Sequence, residues 1–143
     1  DVPDVTDMPD IRDIANIPGM TSGKKHILVI DDDARMLKVI KLHLHEKYDV
    51  ATAISGKIAL KFLETKHTDL ILLDYAMPDE NGLVVLEKLR ANPSTKNIPV
   101  IFLTGITDRK KIQEALVMKP QGYLLKPINR KRLLAAIQNI LEA

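Results

Sequence analysis

The sequence predicts an α/β protein built on a doubly wound, five-stranded parallel sheet of order 2-1-3-4-5, flanked by five helices. Three observations carry this. From His26 onward, five short apolar runs alternate with five stretches of helical periodicity. The strand-like runs HILVI, LILL and IPVIFL are unbroken rather than alternating, as expected of a sheet covered on both faces. Right-handed crossovers between parallel neighbours then leave the doubly wound sheet as the natural arrangement.

The elements follow in order. HILVI (26–30) is a buried strand that ends in Asp31, Asp32 and Asp33, and residues 34–46 carry Met36, Leu37, Ile40 and Leu44 at helical spacing. DVATA (49–53) is a short strand, after which Ser55 opens a helix through about Lys66 with Ala59, Phe62 and Leu63 inward. LILL (70–73) is a strand that ends on Asp74, and the Pro/Gly-marked loop AMPDENG (76–82) leads into a helix from Leu83 to about Ala91. IPVIFL (98–103) ends at Thr104, and a helix follows over roughly 107–117. GYLL (122–125) is the last strand, broken by Lys126-Pro127, and residues 129–142 form the closing helix with Leu133, Leu134, Ile137 and Leu141.

Composition bounds the reading. The chain has 143 residues, enough for one domain with a sizeable core, with 45% hydrophobic and 28% charged residues. No apolar run approaches the roughly 18–20 residues that span a bilayer, and the opening stretch lacks the basic start and apolar middle of a secretion signal. Cysteine is absent, which excludes disulfides and thiolate metal sites and suits a reducing, cytoplasmic setting. The net charge of +2 hides an asymmetry: residues 1–23 hold five Asp and one Arg, a net of −4, which leaves +6 on the remainder. Aromatic residues are only 3%, so base-stacking platforms are nearly lacking, and the basic residues alternate with acids as on solvated helix faces. No direct nucleic-acid partner is expected.

Residues 1–23 read as a linker or N-terminal extension, and residues 24–143 as the domain. Pro3, Pro9 and Pro18 exclude one continuous helix, and Thr21-Ser22-Gly23 reads as a joint. The stretch nevertheless repeats as DVP-DVT-DMP-DIR-DIA-NIP, a period of three that matches polyproline II. Either it is a solvated linker, or its aliphatic edge docks on the domain or on a neighbouring chain. The start at Asp rather than Met suits a module of a longer protein.

In open α/β sheets the chemistry collects outside the carboxyl ends of the strands, at the switch point. Here strand one ends in Asp31-Asp32-Asp33, strand three in Asp74, strand four in Thr104 and strand five in Lys126. If strands one and three are neighbours, their carboxylates converge, raise one another's pKa and call for a cation. Hard oxygen ligands suit Mg²⁺. Taken singly, each residue has a plainer reading. Asp33 can be a helix N-cap, Thr104 a loop hydroxyl, Lys126 a surface amine and Asp74 a turn former.

Together, ILVIDDD, LILLDYAMPDENG, VIFLTG and GYLLKP, in this order and spacing, resemble the motifs of response-regulator receiver domains, with their flavodoxin-like fold. The resemblance covers about residues 24–143. It implies that Asp74 is the phosphoacceptor and that Asp32, Asp74 and the backbone carbonyl of Ala76 bind Mg²⁺, with Asp31 acting mainly through a bound water. Lys126 would pair with the phosphoryl group, Thr104 would hydrogen-bond to it, and Tyr123 would be the switch aromatic that follows Thr104. The Lys126-Pro127 bond would be cis. The implied partners are a sensor histidine kinase or phosphotransfer protein, and an output domain or downstream protein on the face of helix four, strand five and helix five. The domain would catalyse only its own phosphorylation and dephosphorylation. Receivers that dephosphorylate quickly tend to carry polar groups where this chain has Ala76 and Ile106.

Three other readings remain at this point. A haloacid-dehalogenase-like phosphohydrolase also uses an Asp nucleophile, but would want an acid at position 76 and cap segments. A pseudo-receiver would act by contacts alone, which the full set Asp31, Asp32, Asp74, Thr104 and Lys126 argues against. A flavodoxin-like nucleotide binder would want a Gly-rich loop where DDDARM stands.

Overall fold

The computed structural model describes residues 23–78, 80–105 and 109–142. In chain order the elements are β1 (His26–Ile30), α1 (Ala34–Leu44), β2 (Asp49–Ala53), α2 (Gly56–Leu63), β3 (Leu70–Asp74), α3 (Gly82–Ala91), β4 (Val100–Thr104), α4 (Arg109–Val117), β5 (Gly122–Leu125) and α5 (Arg130–Leu141). All strand pairs are parallel, and the order is β2-β1-β3-β4-β5, as the apolar runs predicted.

Successive side chains on a strand point to opposite faces, so each unbroken run feeds two cores. Leu28, Ile30, Ile71, Leu73 and Phe102 face one layer with Ala59 of α2 and Val85, Leu86 and Leu89 of α3. Ile27, Val29, Leu70, Leu72, Ile101 and Leu103 face the other, with Leu37, Ile40 and Leu44 of α1 and Leu133 and Ile137 of α5. Residues 27–30 of β1 and all of β3 and β4 are essentially inaccessible to solvent, whereas edge strand β5 leaves Tyr123 and Leu125 partly exposed.

Asp33, Ser55, Asn81 and Asn129 cap α1, α2, α3 and α5, each accepting a backbone N–H of its first turn. Each such cap is worth about 1 kcal/mol and fixes where the chain turns after a strand or loop. Several boundaries shift by a residue or more from the sequence reading, two of them for plain local reasons. α2 stops at Leu63 rather than Lys66, because Glu64 and Thr65 donate to Lys61 and Phe62, three residues back, and tighten the last turn. β4 begins at Val100, since Pro99 can accept a bond from Ile71 but has no N–H to donate.

The linker expectation lies outside the described residues except for Gly23, whose φ of +80° is in the left-handed region that favours glycine. Ile106 and Asp79 also lie outside them.

Candidate functional site

Ile30 of β1 pairs with Leu73 of β3, so Asp31 and Asp74 leave neighbouring strands side by side. Oxygens of Asp31, Asp32 and Asp74 lie within 4.8 Å of one another. Asp31 is 0% and Asp74 3% exposed, whereas Asp32 faces solvent at the mouth. Asp33 does not join them. Its carboxylate caps α1 by accepting from Arg35 N at 2.9 Å, while its own N–H donates to Asp31 Oδ1 at 2.9 Å. The plainer reading of Asp33 is therefore the correct one, and its backbone helps to orient Asp31.

Lys126 follows β5, two strands away from β3, and its N–H donates to the Thr104 carbonyl at 2.8 Å. Its ammonium reaches back over the sheet end, 3.1 Å from Asp31 Oδ2 and 3.2 Å from Asp74 Oδ1. The Lys126-Pro127 bond is cis. Burial tends to lower the Lys126 pKa, but hydrogen bonds and charge from Asp31 and Asp74 outweigh it and leave the pKa raised. Asp74 is pushed up to about 6 by burial first and by Asp31 second, against the opposing pull of Lys126 and of the Ala76 N–H. One cation thus serves two buried carboxylates, and negative charge remains in excess.

Thr104 is buried at the end of β4, one residue beyond Leu103, the partner of Asp74 in the register. Tyr123 pairs with Phe102 on β5 and is 42% exposed. The expected switch residues therefore stand on adjacent strands. Ala76 sits in the loop after β3, its N–H directed to Asp74.

This donor set fits Mg²⁺. It offers carboxylate oxygens, and octahedral ligation at about 2.1 Å spaces ligands about 3–4 Å apart, within small side-chain shifts of the spread seen. Asp31, Asp32 and Asp74 are the one cluster of metal-ligating side chains of this kind among the described residues.

Two features of the loop after β3 escape sequence reasoning. A Cβ on Gly82 would lie 2.6 Å from the Asp74 carbonyl oxygen and 2.9 Å from both Tyr75 Cα and Phe102 Cε1, so only glycine lets α3 start here. Gly82 N also donates to Tyr75 O at 2.7 Å, which closes the loop behind Asp74. Glu80 sits against Gly56 and pairs with Lys88. The Gly in AMPDENG signalled the turn; nothing local signalled Glu80.

Comparison with known proteins agrees with this geometry. The response regulator receiver domain family matches residues 27–138. The chain is 34% identical over 115 residues to the response regulator PleD of Caulobacter vibrioides, covering 80% of this chain and 25% of that protein. It is 36% identical over 103 residues to a probable cyclic di-GMP phosphodiesterase of Vibrio cholerae, covering 72% of this chain and 23% of that protein. The chain thus spans about a quarter of the length of these relatives. Among solved structures, Vibrio cholerae chemotaxis protein CheY4 superposes with a TM-score of 0.78 at 29% identity, covering 82% of this chain and 99% of that one. A putative response regulator of Chloroflexus aurantiacus gives 0.79 at 27% identity, covering 84% and 99%. Among the described residues no helix is long and apolar enough to cross a membrane. With the sheet order, the acidic strand ends and these matches in hand, the chain belongs to the response regulator receiver domain family of two-component signalling.

Proposed function

We propose that Asp74 accepts a phosphoryl group from a phosphohistidine of a partner kinase or phosphotransfer protein, with Mg²⁺ as cofactor. The observation that carries this is the setting of Asp74: a buried carboxylate flanked by Asp31 and Asp32, with the Lys126 ammonium 3.2 Å away. With a pKa of about 6 it is mostly ionised near neutral pH, as a nucleophile must be.

Asp32, Asp74 and the Ala76 carbonyl would hold the metal, with Asp31 acting through water. Bound Mg²⁺ supplies charge neutralisation on the transferred group and fixes its orientation. The Asp74 oxygen attacks phosphorus in line, the P–N bond breaks as the O–P bond forms, and the imidazole nitrogen keeps the electron pair. Lys126 offsets charge on the equatorial oxygens, and the Thr104 hydroxyl donates to one of them, so rate comes from positioning and electrostatics. Tyr123 follows Thr104 inward. The surface that changes is that of α4, β5 and α5, where Leu116, Val117, Tyr123 and Leu125 are exposed and suit an output domain or downstream protein. We assign residues 24–143 to the receiver and residues 1–23 to a linker, and read the receiver as a cytoplasmic module of a longer protein, since the two relatives named above are about four times as long as the part they share with it.

The test is labelling with Mg²⁺ and acetyl phosphate, read by intact mass. The wild type gains one phosphoryl group and Asp74→Asn gains none. Equal labelling of the variant would place the acceptor elsewhere.

A further inference from the structure

The loop from Tyr75 to Asn81 joins Asp74 to α3 and carries Ala76 at its near end. Besides the bond from Gly82 N to Tyr75 O and the Asn81 cap on α3, its far end carries Glu80, whose carboxylate reaches both neighbouring helices. A Cβ on Gly56 would stand 2.5 Å from Glu80 Oε1, so the carboxylate fills the space that any larger residue would take at the start of α2. Its other oxygen accepts from Lys88 Nζ of α3 at 2.6 Å, across eight residues. Glu80 is thus wedged between the first residue of one helix and a cation of the next, and it faces the positive end of α2, where a carboxylate is favoured. Lys88 is half exposed, and such a pair is a weak force by itself. The seat on Gly56 is what makes the contact positional: Glu80 Oε1 and Val85 Cγ2 together occupy the space over Gly56 that a side chain there would take.

We propose that Glu80 is a positioning residue for the acidic pocket. Strapped to Gly56 and Lys88, it holds the loop in the conformation that presents the Ala76 backbone to Asp74 and the metal. This rests on the proposed role of Ala76 in binding Mg²⁺. Direct outer-shell partners of metal ligands are worth about 10–100-fold in affinity; Glu80 acts through the loop, so a loss of about three- to tenfold is expected.

The experiment titrates Mg²⁺ calorimetrically into wild type, Glu80→Ala, and the exchanged pair Glu80→Lys/Lys88→Glu, with the melting temperature and the labelling rate at saturating Mg²⁺ measured beside it. Expected is weaker Mg²⁺ binding in Glu80→Ala, which removes both the seat and the Lys88 link, with a saturated labelling rate within about twofold of wild type. The exchanged pair places a cation at Gly56, so it restores the link to position 88 but not the seat, and should recover only part of the affinity. An unchanged Kd in Glu80→Ala, whether or not the melting temperature falls, overturns the proposal and leaves the Mg²⁺ reading standing. A wild type that takes up no Mg²⁺ overturns both.

Discussion

Lys126 Nζ stands 3.2 Å from Asp74 Oδ1, although 52 residues separate the two in the chain. The same ammonium lies 3.1 Å from Asp31 Oδ2. A single cation is therefore shared between two buried carboxylates beside a third at the surface, an arrangement short of positive charge. That deficit has measurable consequences.

The first concerns stability against pH. Asp74 rises from 3.8 to about 6 on folding, so the folded state keeps a proton that the unfolded state releases. Stability falls as pH rises from about 4 to about 6 and stays low above that. Asp74→Asn should be more stable than wild type at pH 8 by about 1–3 kcal/mol, the lower part of that range allowing for solvent screening at the mouth. It should also lose this part of the slope. Urea unfolding at pH 4.5 and pH 8 measures both, and equal stabilities at pH 8 would contradict the charge deficit.

Metal should reverse the deficit. At about ten times its Kd, Mg²⁺ adds about 1.4 kcal/mol of stability to a protein that binds it only when folded. Wild type should gain this at pH 8, while Asp31→Asn and Asp74→Asn gain less. A chelator should abolish both the gain and the labelling.

Gly82→Ala forces a methyl to within 2.6 Å of the Asp74 carbonyl oxygen and 2.9 Å of Tyr75 Cα, both backbone atoms that cannot step aside alone. A loss of about 1–3 kcal/mol is expected, read from the urea midpoint. Amide shifts should concentrate at Asp74 to Ala76.

The lifetime of the phosphorylated state is expected to be long. Ala76 is exposed beside Asp74 and has no group to orient an attacking water, and Ile106, outside the described residues, offers none either. After loading and donor removal, Ala76→Asn/Ile106→Glu should lose phosphate faster, tenfold for about each 1.4 kcal/mol removed from the barrier. No acceleration would show that these two positions do not set the rate.

Deleting residues 1–23 should leave the denaturation midpoint of the receiver unchanged. Backbone order parameters below about 0.6 through residues 1–20 would support the linker reading, and values near 0.85 would support docking.

The sequence by itself determined the element order, the sheet class and the identity of the strand-end residues. Unbroken apolar runs are a local record of burial on both faces, and the acids, hydroxyl and amine at Asp31, Asp74, Thr104 and Lys126 terminate those runs at positions that can be read one strand at a time. It offered Asp33 as a helix N-cap beside Asp31 and Asp32, but not the bond from the Asp33 N–H to Asp31 Oδ1, which depends on the φ and ψ of the turn into α1. Nor could it place Glu80, whose partners Gly56 and Lys88 lie on two different helices. The shared contact of Lys126 with Asp31 and Asp74 spans 95 and 52 residues. Tertiary structure alone decided it, since such a contact depends on strand register and side-chain reach across the sheet end, which no periodicity along the chain encodes.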